Sequence, residues 1–268
     1  TGKESTAYYI KTQAAQLEHG FEILCDMVTQ SLLDPKEIEK EKGVIVSELA
    51  MYEDTPSRRV GEIFETLLFP DSSLGWDIGG TAETTSVIKQ DDFKDLYDRF
   101  YKPNNMVVVV SGGITEKEAH ALTKRYLGSV RDGHKVLPER KETFIQEEPH
   151  ILLKEKQTEQ THFVLGFRGY GRGHKDRWTE EVLAAILGGG MSSRLWVSVR
   201  ERRGLAYYVR ADSEHYYDNG YFAVSAGVDP KNLEKAIKVI LEEVYRAKME
   251  KKLTAKELLK DLEFLAEA

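Results

Sequence analysis

Leu17, Phe21, Leu24, Val28 and Leu32 recur at steps of three and four residues, which predicts an amphipathic helix over Ala14–Leu33 ended by Asp34-Pro35. Pro35 suits the first turn of a second helix, expected to run to about Asp54 before Pro56 interrupts it, and a third follows over Ser57–Leu68. The segment FPDSSLGWDIGGTAE is rich in Gly, Ser and Asp and reads as a loop. A short helix around Asp91–Tyr101, a buried strand Met106–Ser111, a Gly112-Gly113 turn and a helix from Thr115 to about Leu127 complete the first half. Gly128–Pro149 is charged and without a period. It reads as a linker, with residues 1–130 before it, 131–149 within it and 150–268 after it.

Beyond the linker, alternation predicts paired strands Ile151–Lys156 and Thr161–Phe167, then a Gly and Arg rich loop, RGYGRGHKDR. A helix over Trp178–Leu187 ends at Gly188-Gly189-Gly190, and a shorter one covers about Ser193–Arg202. Strands Tyr207–His215 and Tyr221–Val228 are joined through Asp218-Asn219-Gly220, a sequence suited to a tight turn. Helices from Pro230 to about Lys251 and from Thr254 onward close the chain. The similar order of elements in the two halves suggests a repeated plan. The fold class expected is α+β, with helices packed on one face of largely antiparallel sheets.

Charge and cysteine usage remove several functions. Lys and Arg number 38 against 45 Asp and Glu, and the formal charge of −7 argues against a nucleic-acid partner, which calls for a basic face. A hydrophobic share of 41% with 31% charged residues suits a packed core rather than a disordered chain. Cys25 is the only cysteine, so no intrachain disulfide and no multi-thiolate metal site can form, and its place on the apolar face of the first helix makes it a core residue. No apolar run approaches the roughly 20 residues needed to cross a bilayer, so no membrane partner is expected. The start, TGKESTAYYIK, has no signal-peptide pattern and no Met. The compartment expected is the cytoplasm, or the mitochondrial matrix in a eukaryote.

The second helix carries the most informative chemistry. Ile38, Ile45, Leu49 and Tyr52 form one stripe, and Glu41 and Glu48 lie beside it, two turns apart and pointing the same way. The pair could sit at the edge of the stripe and reach water, or one Glu could bind a cation while the other orients it or moves a proton. Spacing leaves both readings open. Gly188–Gly190 with Ser192, Ser193 and Arg194 lacks the Lys and Gly spacing of a nucleotide loop and reads as a helix-ending turn. RGYGRGHKDR resembles RNA-binding RGG segments in composition but is better placed as a loop between a strand and a helix.

TGKESTAYY, EKGVIVSELAMYEDTPSRRVGE, LGWDIGGTAE and FYKPNNMVVVVSGGI, in this order, resemble the first catalytic module of the pitrilysin/insulinase class of zinc metallopeptidases, the inverzincins. LGGGMSSRLWVSVRERRGLAYYV and DNGYFAVSAGV resemble the neighbouring non-metal module. The branch most similar holds the bacterial processing proteases and the mitochondrial processing peptidase. The resemblance implies two tandem related modules of the processing-peptidase-like fold, residues 1–130 being a partial metal-side module and 150–268 a partial second module. It also implies a Zn2+ cofactor, with Glu48 at the position of a zinc ligand and Glu41 at that of the accessory carboxylate. Arg200 and Tyr207 match the residues that reach the substrate backbone near the scissile carbonyl. In such enzymes the metal activates water and the Glu of an H-x-x-E-H motif acts as base.

That motif is absent, and no two of the seven histidines, His19, His120, His134, His150, His162, His174 and His215, lie three or four apart. The resemblance places it upstream of Thr1, so the chain is expected to be truncated at both ends and to be inactive by itself. The function implied is that of a fragment of a zinc endopeptidase acting on a peptide substrate, with a dimer mate or second subunit as partner. The alternatives are a catalytically silent, chamber-forming subunit of the same fold and an unrelated acidic binding module.

Overall fold

The computed structural model describes residues 1–130, 132–133 and 146–249. Most of the expected linker 131–149 and the helix expected from Thr254 lie outside these. The chain forms two compact units, Thr1–Ala50 with Ile78–Lys141 and Met51–Asp77 with Glu142–Ala268.

In the first unit α1 spans Leu17–Thr29. It ends before Asp34 because the Thr29 hydroxyl turns back to the Cys25 carbonyl at 2.7 Å and Leu33 adopts a left-handed φ of 47°. Asp34 then starts α2, Pro35–Glu53, its Oδ1 accepting the Lys36 N–H at 2.7 Å. A helix not expected from composition, α4 (Ala82–Val87), begins at the end of the segment expected to be a loop and runs past it; Thr81 and Thr84 cap it reciprocally, with N–H to hydroxyl distances of 2.8 and 3.2 Å. The helices α5, Gln90–Phe100, and α6, Glu116–Leu127, follow, the latter with a Thr115/Glu118 capping box. Phe21 of α1 packs against Tyr126 of α6, and Cys25 is buried beside them.

The Met106–Ser111 segment forms no strand among the described residues, and Val107 and Val109 are 89% and 81% exposed. Ile151–Lys156 likewise forms no strand with the described residues. Both expectations of a strand are corrected for one reason. A ladder needs a neighbour to exchange N–H and C=O groups, and an apolar run does not supply that neighbour.

The second unit holds a three-stranded antiparallel sheet in the order β1-β3-β2, where β1 is Thr161–Gly169, β2 Ala206–His215 and β3 Gly220–Val228. β3 is central and almost wholly buried. One face is covered by α7 (Arg177–Gly188), a π-helical turn at Trp196–Glu201 and α8 (Leu233–Met249). Leu187, Leu195, Val199, Val209, Val224 and Ile240, each no more than 1% exposed, fill that core. Gly188 lets α7 approach β2, since a Cβ there would lie 2.7 Å from the Cβ of Ala211.

The other face carries α3, Pro56–Leu68. Phe64 lies over Gly166, where a Cβ would overlap its ring, and Arg168 donates to the Leu68 carbonyl. Glu65 accepts the hydroxyls of Tyr216 at 2.8 Å and Tyr221 at 3.1 Å. Leu68, Phe69, Leu74 and Tyr216 form a second buried cluster there. The stretch from Met51 to Asp77, sequence-adjacent to the first half, thus packs with the second-half sheet.

Candidate functional site

Glu41 and Glu48 both lie exposed on α2, and Ile38, Ile45, Leu49 and Tyr52 are half-buried, so the apolar stripe faces inward with the two carboxylates on its outer margin. Two helical turns set them about 10 Å apart along the axis. Glu37–Lys40 and Glu39–Lys42 form ion pairs on the polar surface of the same helix, at 2.5 and 2.6 Å. Structural zinc takes four ligands and catalytic zinc three from the protein. Among the described residues no group of three or more His, Cys, Asp or Glu side chains is placed to share a metal ion, so these residues by themselves do not fit zinc.

Arg200 and Tyr207 are brought together. The π-helical turn carries Arg200, and the chain reverses at Gly204, whose left-handed φ of 59° favours a residue without a Cβ. The Gly204 N–H bonds the Arg200 carbonyl at 2.9 Å and the Leu205 N–H bonds that of Val199 at 3.0 Å, closing a tight return into β2. Arg203 secures the same turn by donating to the Ser198 carbonyl at 2.7 Å. Ala206 then pairs with Val228 and Tyr208 with Gly227, which leaves Tyr207 as the extra residue of a β-bulge. Bulging turns its side chain outward, 70% exposed.

The Arg200 guanidinium lies 4.1 Å from the Trp196 ring centroid and 5.4 Å from that of Tyr207. Two aromatic faces hold the cation, and among the described residues no ion pair consumes its N–H groups, so donors remain for an acceptor arriving from outside. Trp196 was not singled out by sequence reasoning. Its signal is the i, i+4 spacing to Arg200, which puts ring and guanidinium on one helix face.

A further set of residues, Arg59 with its partners, escaped sequence reasoning. Arg59 meets Glu53 at 2.6 Å, Glu62 at 2.7 Å and Asp77 at 3.1 Å, and Lys154 meets Glu53 at 2.6 Å. The Lys154 ammonium, through its hydrogen bond, holds the Glu53 carboxyl below the usual carboxylate range. This network closes the turn between α2 and α3.

Residues 1–81 match the family profile described as Insulinase (Peptidase family M16), and residues 88–262 match that described as Peptidase M16 inactive domain. An uncharacterized zinc protease of Bacillus subtilis is 34% identical over 258 residues, covering 96% of this chain and 62% of its own length. Another, from Streptomyces coelicolor, is 32% identical over 249 residues, covering 91% and 54%. The chain therefore spans little more than half the length of these relatives. A protease from Helicobacter pylori has the same fold, with a TM-score of 0.85 at 22% identity over 96% of this chain and 63% of that one. No helix among the described residues is long and apolar enough to cross a membrane. Two profiles in tandem, together covering nearly the whole chain, establish that it belongs to the M16 peptidases, the pitrilysin/insulinase family of zinc metallopeptidases.

Proposed function

We propose that the chain is a working part of a zinc-dependent endopeptidase that cleaves extended or unfolded peptides. In this reading Glu48 supplies one carboxylate ligand to a zinc ion whose other ligands come from residues outside the given sequence. Glu41 is the accessory carboxylate on the same face of α2. Arg200 and Tyr207 donate hydrogen bonds to the substrate backbone, where an N–H and an O–H donor suit a carbonyl oxygen that gains charge. The observation that supports the reading most is the placement of Tyr207 on a bulge of β2, an edge strand of the sheet, beside an Arg200 held by aromatic faces. An edge strand can accept an extended peptide by main-chain pairing, and a bulge on it aims a side chain at that peptide.

A second reading, a silent chamber-forming subunit, is favoured by one observation, the match of residues 88–262 to a profile described as inactive. Peptide cleavage by the full gene product separates the two. Under the first reading it cleaves a quenched fluorescent peptide by itself and chelation stops it. Cleavage that arises only when another family member is added favours the second.

A further inference from the structure

Arg200 and Tyr207 stand at one end of β2. The strand starts at Ala206, and the bulge at Tyr207 displaces its backbone there. Regular pairing along the outer edge of β2 is therefore confined to Tyr208–His215 and stops at the corner where the two side chains meet. Both pairings within the sheet are antiparallel. A peptide that continues the sheet in the same sense on the outer side of β2 runs against it, so its carboxyl end arrives at the start of β2 and its amino end at His215.

The chemistry at that corner selects the same direction. The turn Arg200–Arg203 holds three arginines and one glutamate. Arg203 is occupied with the Ser198 carbonyl at 2.7 Å. Among the described residues no hydrogen bond or ion pair takes up the Arg200 guanidinium, and its contacts to Trp196 and Tyr207 are to ring faces, which leave the N–H edge open. The Tyr207 hydroxyl is likewise without a hydrogen-bond partner among these residues. A guanidinium only donates. It repels an amino terminus, a cation at pH 7, and matches the two oxygens of a carboxylate with two parallel N–H groups. An α-carboxyl titrates at about pH 3.5 and is an anion at neutral pH.

We propose that the Arg200–Tyr207 corner is a subsite for a C-terminal carboxylate, which fixes an extended peptide antiparallel to β2 with its free carboxyl end on the guanidinium. The subsite itself stands on the sheet and the corner alone. Its consequence for turnover rests on the reading of Arg200 and Tyr207 given above. Cleavage adds the oxygen of water to the scissile carbon, breaks the bond from that carbon to nitrogen and passes a proton to the leaving amine. The carbonyl that the corner holds becomes a carboxylate, so the acyl product is bound more tightly than the peptide it came from and inhibits in competition with it.

Nuclear magnetic resonance titration of the chain tests the subsite without any activity. The probes are an N-acetylated tetrapeptide of alternating Thr and Val with a free C-terminal carboxyl, and the same peptide as its C-terminal amide. The acid binds roughly tenfold to a hundredfold more tightly, the scale for a hydrogen bond to a charged group, and shifts the signals of Gly204–Val209. Arg200→Ala removes the preference, and Arg200→Lys, which keeps the charge without the fork, retains only part of it. A nitroxide at the amino end of the acid broadens signals near His215. Equal affinities of acid and amide, binding of neither, or broadening at Tyr207 overturns the subsite. So does a preference unchanged in Arg200→Ala or, where that variant fails to fold, in Arg200→Lys. In the full gene product the acyl product of a cleaved peptide competes with substrate and its amide does not. Absence of that competition beside intact binding of the acid to the chain refutes the placement of the corner at the scissile carbonyl and not the subsite.

Discussion

The Glu65 carboxylate accepts the Tyr216 hydroxyl at 2.8 Å and so fastens α3 to the hairpin that joins β2 and β3. Tyr221 adds a second hydroxyl at 3.1 Å. Burial first, with the hydrogen bond and negative charge of Glu65 next, pushes both phenols well above their ordinary value. The folded state therefore keeps these protons when the unfolded chain releases them, near pH 10. The stability they confer is present below about pH 10 and is lost as pH rises above it. Urea midpoints measured from pH 7 to 11 should fall above pH 10. Tyr216→Phe should flatten that fall and lower stability at pH 7 by about 1.5–3 kcal/mol, the range for a hydrogen bond to a charged group. An unchanged slope in the variant contradicts the assignment.

The glycine run Gly188–Gly190 separates by position. Gly188 faces Ala211 across the α7–β2 contact, and a Cβ would overlap it, whereas nothing lies within 4 Å of a Cβ at Gly190. Gly188→Ala should cost about 1–3 kcal/mol by overpacking, and Gly190→Ala should stay within about 0.5 kcal/mol. Thermal melts of the two variants check this. Equal effects would return the run to a role other than packing.

Helices were readable in the chain because their signals are local. The apolar step of α1, Pro35 at the start of α2 and Thr115 with Glu118 before α6 each act within one or two turns. The helix α4 is not legible because it is only six residues long and its Thr81 cap sits at the end of a Gly, Ser and Asp rich stretch. Met106–Ser111 and Ile151–Lys156 carry a strand pattern, but pairing is not local, so the pattern alone does not make a ladder. For the same reason nothing near Glu65 announced Tyr216, 151 residues away in sequence. Glu41 and Glu48 were legible as a pair on one helix face, but their chemistry was not. The approach of Arg200 to Tyr207 depends on Gly204 adopting a left-handed turn and on a bulge, neither of which spacing shows.

Arg59 joins three carboxylates at the turn after α2, and at 27% side-chain exposure it is partly shielded from water. Arg59→Ala should destabilise the chain by about 2–3 kcal/mol, since charged hydrogen bonds are lost and acidic groups are left facing one another. Arg59→Lys should recover only part of this, because an ammonium lacks the planar fork that reaches several carboxylates. Full recovery by Lys would mean that charge, and not geometry, holds the turn.

In the full gene product, Arg200→Ala and Tyr207→Phe should each lower kcat/KM by roughly a hundredfold to a thousandfold, the scale for losing one donor to a developing oxyanion. Tyr207→Phe keeps the ring against Arg200 and removes only the hydroxyl, so it isolates the donor. Circular dichroism and metal content should match the wild type in both. A loss of metal in either would place that residue at the metal and not at the peptide.

Under the proposed function, this chain contributes Glu48 to the zinc site of a peptidase. Zinc content of the purified full gene product, measured by mass spectrometry for the wild type and for Glu48→Gln, tests it most directly. The expected result is stoichiometric zinc in the wild type and its loss in Glu48→Gln, with cleavage lost in parallel. Full zinc occupancy in folded Glu48→Gln would contradict it.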